Sequence, residues 1–119
     1  MNKAVFVTVR LKSTRLPRTV FIEVDGLPVL SYLTNRIKHN FDGDLVLCTS
    51  TNSEDDPIEE FANERGLLCF RGSEEDVLER YYKAAKRYHS DKVYIIYGDE
   101  PFTDIEAMNE TFQLLDENK

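Results

Sequence analysis

Val9 to Arg18 reads VRLKSTRLPR, and it places Arg10, Lys12, Arg15 and Arg18 within nine residues, with Ser13 and Thr14 between them. Guanidiniums grip phosphate oxygens in pairs, an ammonium acts as a point charge, and hydroxyls with loop N–H groups complete an anion nest. That set suits a polyphosphate. It is not a P-loop, because GxxxxGK[ST] is missing, and not a dinucleotide fingerprint, because the loop has no glycine. A solvated basic loop is the plain alternative. A second group lies in YGDEPFTD, residues 97–104, where Asp99 directly follows an apolar run and Gly98. Its carboxylate suits a hard cation such as Mg²⁺, which takes one or two protein carboxylates plus phosphate oxygens. A turn-forming role is the alternative for Asp99, and a helix N-cap role already explains Asp104. Arg71 and Gly72 end a third apolar run, and Ser50 ends a fourth. Arg71 suits a base edge, a phosphate or a surface ion pair.

These groups work together only if the elements between them bring them to one place. AVFVTV, DLVLCTS (44–50), LLCF (67–70) and KVYIIY (92–97) are short apolar runs rich in β-branched and aromatic residues, so buried strands. TVFIEV (19–24) reads as extended up to the turn signal Asp25-Gly26. Helical stripes separate the strands. Pro28 opens a helix with Leu30, Leu33 and Ile37 on one face. Ser53 is the expected cap of a helix carrying Ile58, Phe61 and Ala62, ended by Gly66, and the acidic run 54–60 reads as its solvated start. Ser73 is the expected cap of the next helix, with Val77, Tyr81, Ala84, Ala85 and Tyr88 inward. A last helix, opened by Asp104, turns Ile105, Met108, Phe112 and Leu115 inward.

Alternating strands and helices predict a Rossmann-like three-layer α/β/α fold with a mainly parallel sheet of about four core strands, one domain over 1–119. Right-handed crossovers put the segments after each strand at one sheet edge. Loops 8–18, 49–53, 71–73 and 98–104 should therefore cluster in the crevice where open α/β sheets bind ligands.

The chain has 119 residues, 41% hydrophobic and 31% charged, with net charge −7. That balance argues for a real core and against a general nucleic-acid or membrane-surface binder, which would want a basic footprint. Against this acidic background the cations at 10–18 mark a site for a small anion. Cys48 and Cys69 sit in apolar runs and read as reduced core thiols. His39 and His89 fall near helix C-termini, where the dipole favours them, and no Ser/His/Asp or Cys/His set is visible. No signal-peptide pattern or membrane-length apolar run occurs, so a cytoplasmic protein is expected.

A polyphosphate cradle beside a metal carboxylate needs no protein nucleophile. It suits attack on a nucleotide α-phosphate by a bound substrate oxygen, driven by positioning and charge neutralisation.

Five ordered segments, RLKSTRLP, DGLPVL, LVLCTSTNSEDDPI, FRGSEEDVLERYYKAA and YGDEPFTD, resemble the sugar cytidylyltransferases. These comprise the keto-deoxyoctulosonate and acylneuraminate enzymes and, above all, the spore-coat polysaccharide F type. The resemblance implies a nucleotide-diphospho-sugar transferase type of fold, and Mg²⁺-dependent transfer of a cytidylyl group from CTP to a sugar acid, in surface polysaccharide synthesis. It implies that Arg10, Ser13 and Arg15 bind the triphosphate, with Lys12, Thr14 and Ser50 beside it. Arg71 and Gly72 would lie near the nucleotide, and Asp99 would bind the metal. The family pattern has Gly-Lys after Arg-Leu-Pro, where this chain has Arg18 and Thr19; Arg18 or Lys12 would have to replace that lysine, which makes Arg10, Arg15 and Arg18 the expected catalytic cations. Family members continue past this length, so the chain resembles their N-terminal nucleotide half, and a homodimer or a partner chain is expected. A non-catalytic nucleotide-binding module is the alternative.

Overall fold

Ala4, Val5, Phe6 and Val7 have no exposed surface at all, a state that only a strand covered on both faces and flanked on both edges reaches. They lie in β1 (Lys3–Thr8), at the interior of a sheet ordered β5-β4-β1-β6. The other strands are β4 (Asp44–Ser50), β5 (Leu68–Gly72) and β6 (Lys92–Tyr97), and every pairing is parallel. The computed structural model describes residues 2–11, 19–98 and 105–117.

The period of two sorts each strand's side chains between the faces. Val5, Val7, Leu45 and Leu47 face a core shared with α1 (Val29–Asn40), α2 (Asp56–Arg65) and α4 (Ile105–Glu117). Ala4, Phe6, Val46 and Cys48 face a smaller core under α3 (Val77–Arg87) alone. This is the expected three-layer α/β architecture.

Several local expectations need correction. Residues 19–24 are not one extended run. Thr19–Phe21 form a 3₁₀ turn, and Glu23–Val24 (β2) pair antiparallel with Leu27–Pro28 (β3). Asp25 (φ 52°) and Gly26 (φ 82°) both adopt positive φ, as a two-residue type I′ hairpin turn demands. Ser53 does not cap α2: Asn52 accepts from the Glu54 N–H to cap a 3₁₀ turn over Ser53–Asp55, and α2 begins after it. Ser73 does not cap α3: its hydroxyl accepts from the Asp76 N–H, and Asp76 caps the helix through the Glu79 N–H. The inward stripes are shorter than expected, with Val77 40% and Leu115 45% exposed. Other expectations hold. Leu30, Leu33 and Ile37 are fully buried, Gly66 closes α2 at φ 68°, and Cys48 and Cys69 are free thiols, the first buried and the second half-buried.

Candidate functional site

Parallel strands end on the same side, and three backbone hydrogen bonds carry the sheet past its last residues there. The Val9 N–H donates to Cys48 O (3.0 Å), Thr51 N–H to Gly72 O (3.0 Å), and Gly98 N–H to Thr8 O (2.9 Å). The starts of the four loops are thus stitched side by side. Gly98 permits the last stitch, since a Cβ there would lie 2.6 Å from Val9 Cγ2.

At the centre of this edge is Asp55, fully buried. Its carboxylate accepts from Arg10 Nε and Ser50 Oγ, each at 2.5 Å, and from the Leu11 N–H at 2.8 Å. Burial alone would push the carboxyl up. The three donors, together with the charge of Arg10, outweigh it and hold Asp55 below the ordinary carboxylate range. Arg10 also reaches Glu74 Oε1 through Nη2 (3.3 Å), and Asn52 Nδ2 donates to Glu74 Oε2 (3.0 Å). The network ties the ends of β1 and β4 to the loop before α3.

Arg71 is a second strut. Its Nε donates to Ser50 O (2.8 Å) and Nη2 to Asn52 O (2.7 Å), while Nη1 meets Asp56 (2.8 Å) and Glu59 (3.4 Å). All three nitrogens are engaged, so of the alternatives for Arg71, a base edge, a phosphate or an ion pair, the ion pair is the one formed in this state. Gly72 is needed for packing. A Cβ on it would sit 3.0 Å from both Phe70 Cε2 and Arg80 Cγ.

Of the residues singled out from sequence, Arg10, Ser50, Arg71 and Gly72 therefore gather at one edge. Lys12, Ser13, Thr14, Arg15, Arg18, Asp99 and Asp104 lie outside the described residues, as does the Thr19 side chain. Among the described residues no group of three or more acidic, His or Cys side chains is placed to hold a metal ion, and no helix is long and apolar enough to cross a membrane. Two residues escaped the sequence reading. Asp55 was hidden in the acidic run 54–60, where nothing distinguishes the buried acid from its solvated neighbours; the signal was Arg10 itself, a cation at a core strand's end that needs a buried acceptor. Arg80 is 2% exposed, and its clue was spacing, four residues before Ala84 and eight before Tyr88 on the inward stripe.

The sequence profile described as Cytidylyltransferase matches residues 4–119, nearly the whole chain. The chain belongs to the cytidylyltransferase family. Its relatives include the spore coat polysaccharide biosynthesis protein SpsF of Bacillus subtilis, 34% identical over 119 residues, covering 95% of this chain and 50% of that one. A 3-deoxy-manno-octulosonate cytidylyltransferase of Francisella tularensis is 27% identical over 118 residues, covering 96% of this chain and 46% of the enzyme. Among solved structures, a cytidylyltransferase from Leptospira borgpetersenii superposes with TM-score 0.89 at 30% identity, over 96% of this chain and 48% of that chain. The chain spans about half the length of these relatives.

Proposed function

We propose that this chain binds CTP with Mg²⁺ at the sheet edge described above and serves transfer of a cytidylyl group to a sugar acid. The observation that carries the reading is the stitched edge itself. Val9, Thr51 and Gly98 lock the starts of three loops together, one opening into the cations at 10–18 and another into Asp99. Family membership supports CTP as the nucleotide, and the named activity of the Francisella relative suggests the sugar acid. A product for surface polysaccharide, spore coat included, follows from the Bacillus relative's name, and a cytoplasmic setting suits a CTP-consuming reaction.

In this reading Asp55 and Glu74 fix the position of Arg10 at the border of the nucleotide site. Lys12, Ser13, Thr14, Arg15 and Arg18 surround the phosphates, Ser50, Arg71 and Gly72 shape the nucleotide's other border, and Asp99 holds Mg²⁺. The hard oxygen of Asp99, next after the Gly98 stitch, suits that ion, which when bound would neutralise phosphate charge. The protein's share of catalysis is orientation and positive charge around the α-phosphate, from Arg10, Arg15 and Arg18. Binding without turnover is the second reading, favoured by Thr19 standing where the family pattern has lysine.

A melting scan with Mg²⁺ tests the nucleotide. At CTP ~100-fold over Kd, binding should add about 2.7 kcal/mol and raise Tm by several degrees; no shift with millimolar CTP, ATP or GTP overturns the reading. Pyrophosphate release from CTP with 3-deoxy-manno-octulosonate then separates the two forms of it. Thr19→Lys combined with Arg18→Gly should raise release by roughly 10²–10³ if the lysine is the missing element. A homodimer or a complex with a partner chain is proposed as the working form, since Ile95 and Tyr97 on edge strand β6 are exposed. Light scattering giving a mass near 13.8 kDa would exclude the homodimer.

A further inference from the structure

Two donors from different strand ends converge on Glu74. Arg10 Nη2, just past the end of β1, donates to Glu74 Oε1 at 3.3 Å, and Asn52 Nδ2, in the turn after β4, donates to Oε2 at 3.0 Å. Two N–H groups set on the two oxygens of one carboxylate make an oxyanion cradle. The Asn52 amide has one possible sense, because its Oδ1 accepts from the Glu54 N–H and only its NH₂ is left to face Glu74. The two acids on Arg10 are held very differently. Asp55 has a fully buried side chain, takes Arg10 Nε at 2.5 Å, and also accepts from Ser50 and the Leu11 N–H. The Glu74 side chain is 37% exposed, and its contact with Arg10 lies beyond the usual N–H···O range. A partly exposed ion pair of that length adds little to stability. Glu74 can therefore leave Arg10 at small cost, whereas Asp55 would strand three donors. With Nε kept by Asp55, the rigid guanidinium stays in place and offers the same Nη2 to another anion.

We infer that Glu74 is an internal placeholder in an oxyanion subsite formed by Arg10 Nη2 and Asn52 Nδ2, and that an anionic oxygen group of the substrate displaces it. This deepens the proposed reaction and rests on it. The displacing group is a phosphate of the nucleotide or the carboxylate of the sugar acid, since each presents a pair of oxygens to two donors. Asn52 then binds ligand, although it stands outside the cation run at 10–18. The exchange is balanced: one anion replaces another on the same two donors, and the released Glu74 carboxylate regains water. The empty site thus never leaves the Arg10 fork unpaired. The arrangement also sets a threshold, because a ligand must outcompete an anion already tethered in place, and its apparent affinity falls by the fraction of molecules in which Glu74 still occupies the cradle.

Calorimetry in Mg²⁺ with CTP, pyrophosphate or 3-deoxy-manno-octulosonate, on wild type, Glu74→Ala, Glu75→Ala and the double variant Glu74→Ala/Asn52→Ser, tests this. Glu74→Ala should bind the displacing group about fivefold tighter or more, and should melt close to wild type. A gain for CTP or pyrophosphate assigns the subsite to a phosphate, and a gain for the sugar acid alone assigns it to the carboxylate. Glu75→Ala removes the same charge from the next, exposed residue and should change affinity by less than about twofold. Serine at position 52 keeps a capping oxygen but withdraws the amide donor, so the double variant should lose most of the gain. Unchanged or weaker binding of every probe by Glu74→Ala would make Glu74 a strut and overturn the inference. So would an equal gain in Glu75→Ala, which is bulk charge, or a gain that survives Asn52→Ser in full. If Glu74→Ala does not fold, Glu74→Gln decides by the same comparison. Wild type and variants that bind no probe overturn the CTP reading as well, whereas wild type that binds CTP, with Glu74→Ala no tighter for any probe, overturns only this inference.

Discussion

Arg10 donates its Nε to the fully buried carboxylate of Asp55, 45 residues further along the chain. The pair joins the end of the central strand to the turn before α2, and the same carboxylate holds Ser50 and the Leu11 N–H. Removing the acid strands a partly buried guanidinium and two further donors. Asp55→Ala should therefore cost about 3 kcal/mol, a fall of roughly 10 °C or more in Tm. Denaturant titration of the variant checks the loss directly.

The pH dependence follows from the same carboxylate. Its folded-state pKa lies below the unfolded value, so its contribution is complete above the ordinary carboxylate range, near ~4, and disappears as pH falls through the lower folded value. Stability should decline on the acid side of pH ~4, and Asp55→Asn should flatten that limb. An equally steep decline in the variant would place the acid sensitivity elsewhere.

The alkaline side carries the opposite sign. Burial raises Cys48 to about 12, and burial with the negative charge of Glu59 raises Cys69 to about 11. Their contribution is complete below the unfolded thiol value, near ~8.5, and is lost as pH rises through the folded values. Replacing both with alanine should lessen the decline in stability between pH ~9 and ~11. In the native state a thiol reagent at pH 8 should label Cys48 no faster than the protein opens.

Gly98→Ala tests the closure between β6 and β1. The added carbon would meet Val9 Cγ2 at 2.6 Å and the Thr8 carbonyl oxygen at 3.3 Å. The strands must separate or Val9 must shift, at a cost of about 1–3 kcal/mol. Thermal melts measure the cost, and nucleotide titration of the folded variant should show weakened binding if the stitched edge forms the site.

Arg71→Lys separates strut from ligand contact. Lysine carries the charge but cannot serve Ser50 O, Asn52 O and Asp56 together as the guanidinium does. Stability should fall by about 1–2 kcal/mol, visible as a lower denaturant midpoint at constant slope.

The strands were legible because fully buried parallel strands are written as unbroken apolar runs, AVFVT and DLVLCTS among them, and a parallel sheet leaves one side for every loop. The helix starts were harder. Ser53 and Ser73 have the right chemistry to cap, but 3₁₀ and turn geometry passed the role to Asn52 and Asp76, because each cap depends on how the chain leaves the preceding strand. Residues 19–24 misled for a related reason: a pair of two-residue strands is too short to impose a period. Arg71 could be placed at the edge from sequence, whereas its partners could not, since they come from β4, the following turn and α2. Asp55 and Arg80 were the least legible, because burial of a charged residue is decided by tertiary neighbours and leaves little trace in composition.

Leu11 and Val20 are both buried in the larger core, and the Leu11 N–H is tied to Asp55. The stretch between them, which holds Lys12, Ser13, Thr14, Arg15 and Arg18, is therefore a bridge with both abutments set before any ligand arrives. Folding has already met the entropy of bringing its ends together, which for a free chain grows with loop length. Lengthening the span by two glycines should weaken nucleotide binding while leaving both abutments, and the fold they belong to, intact.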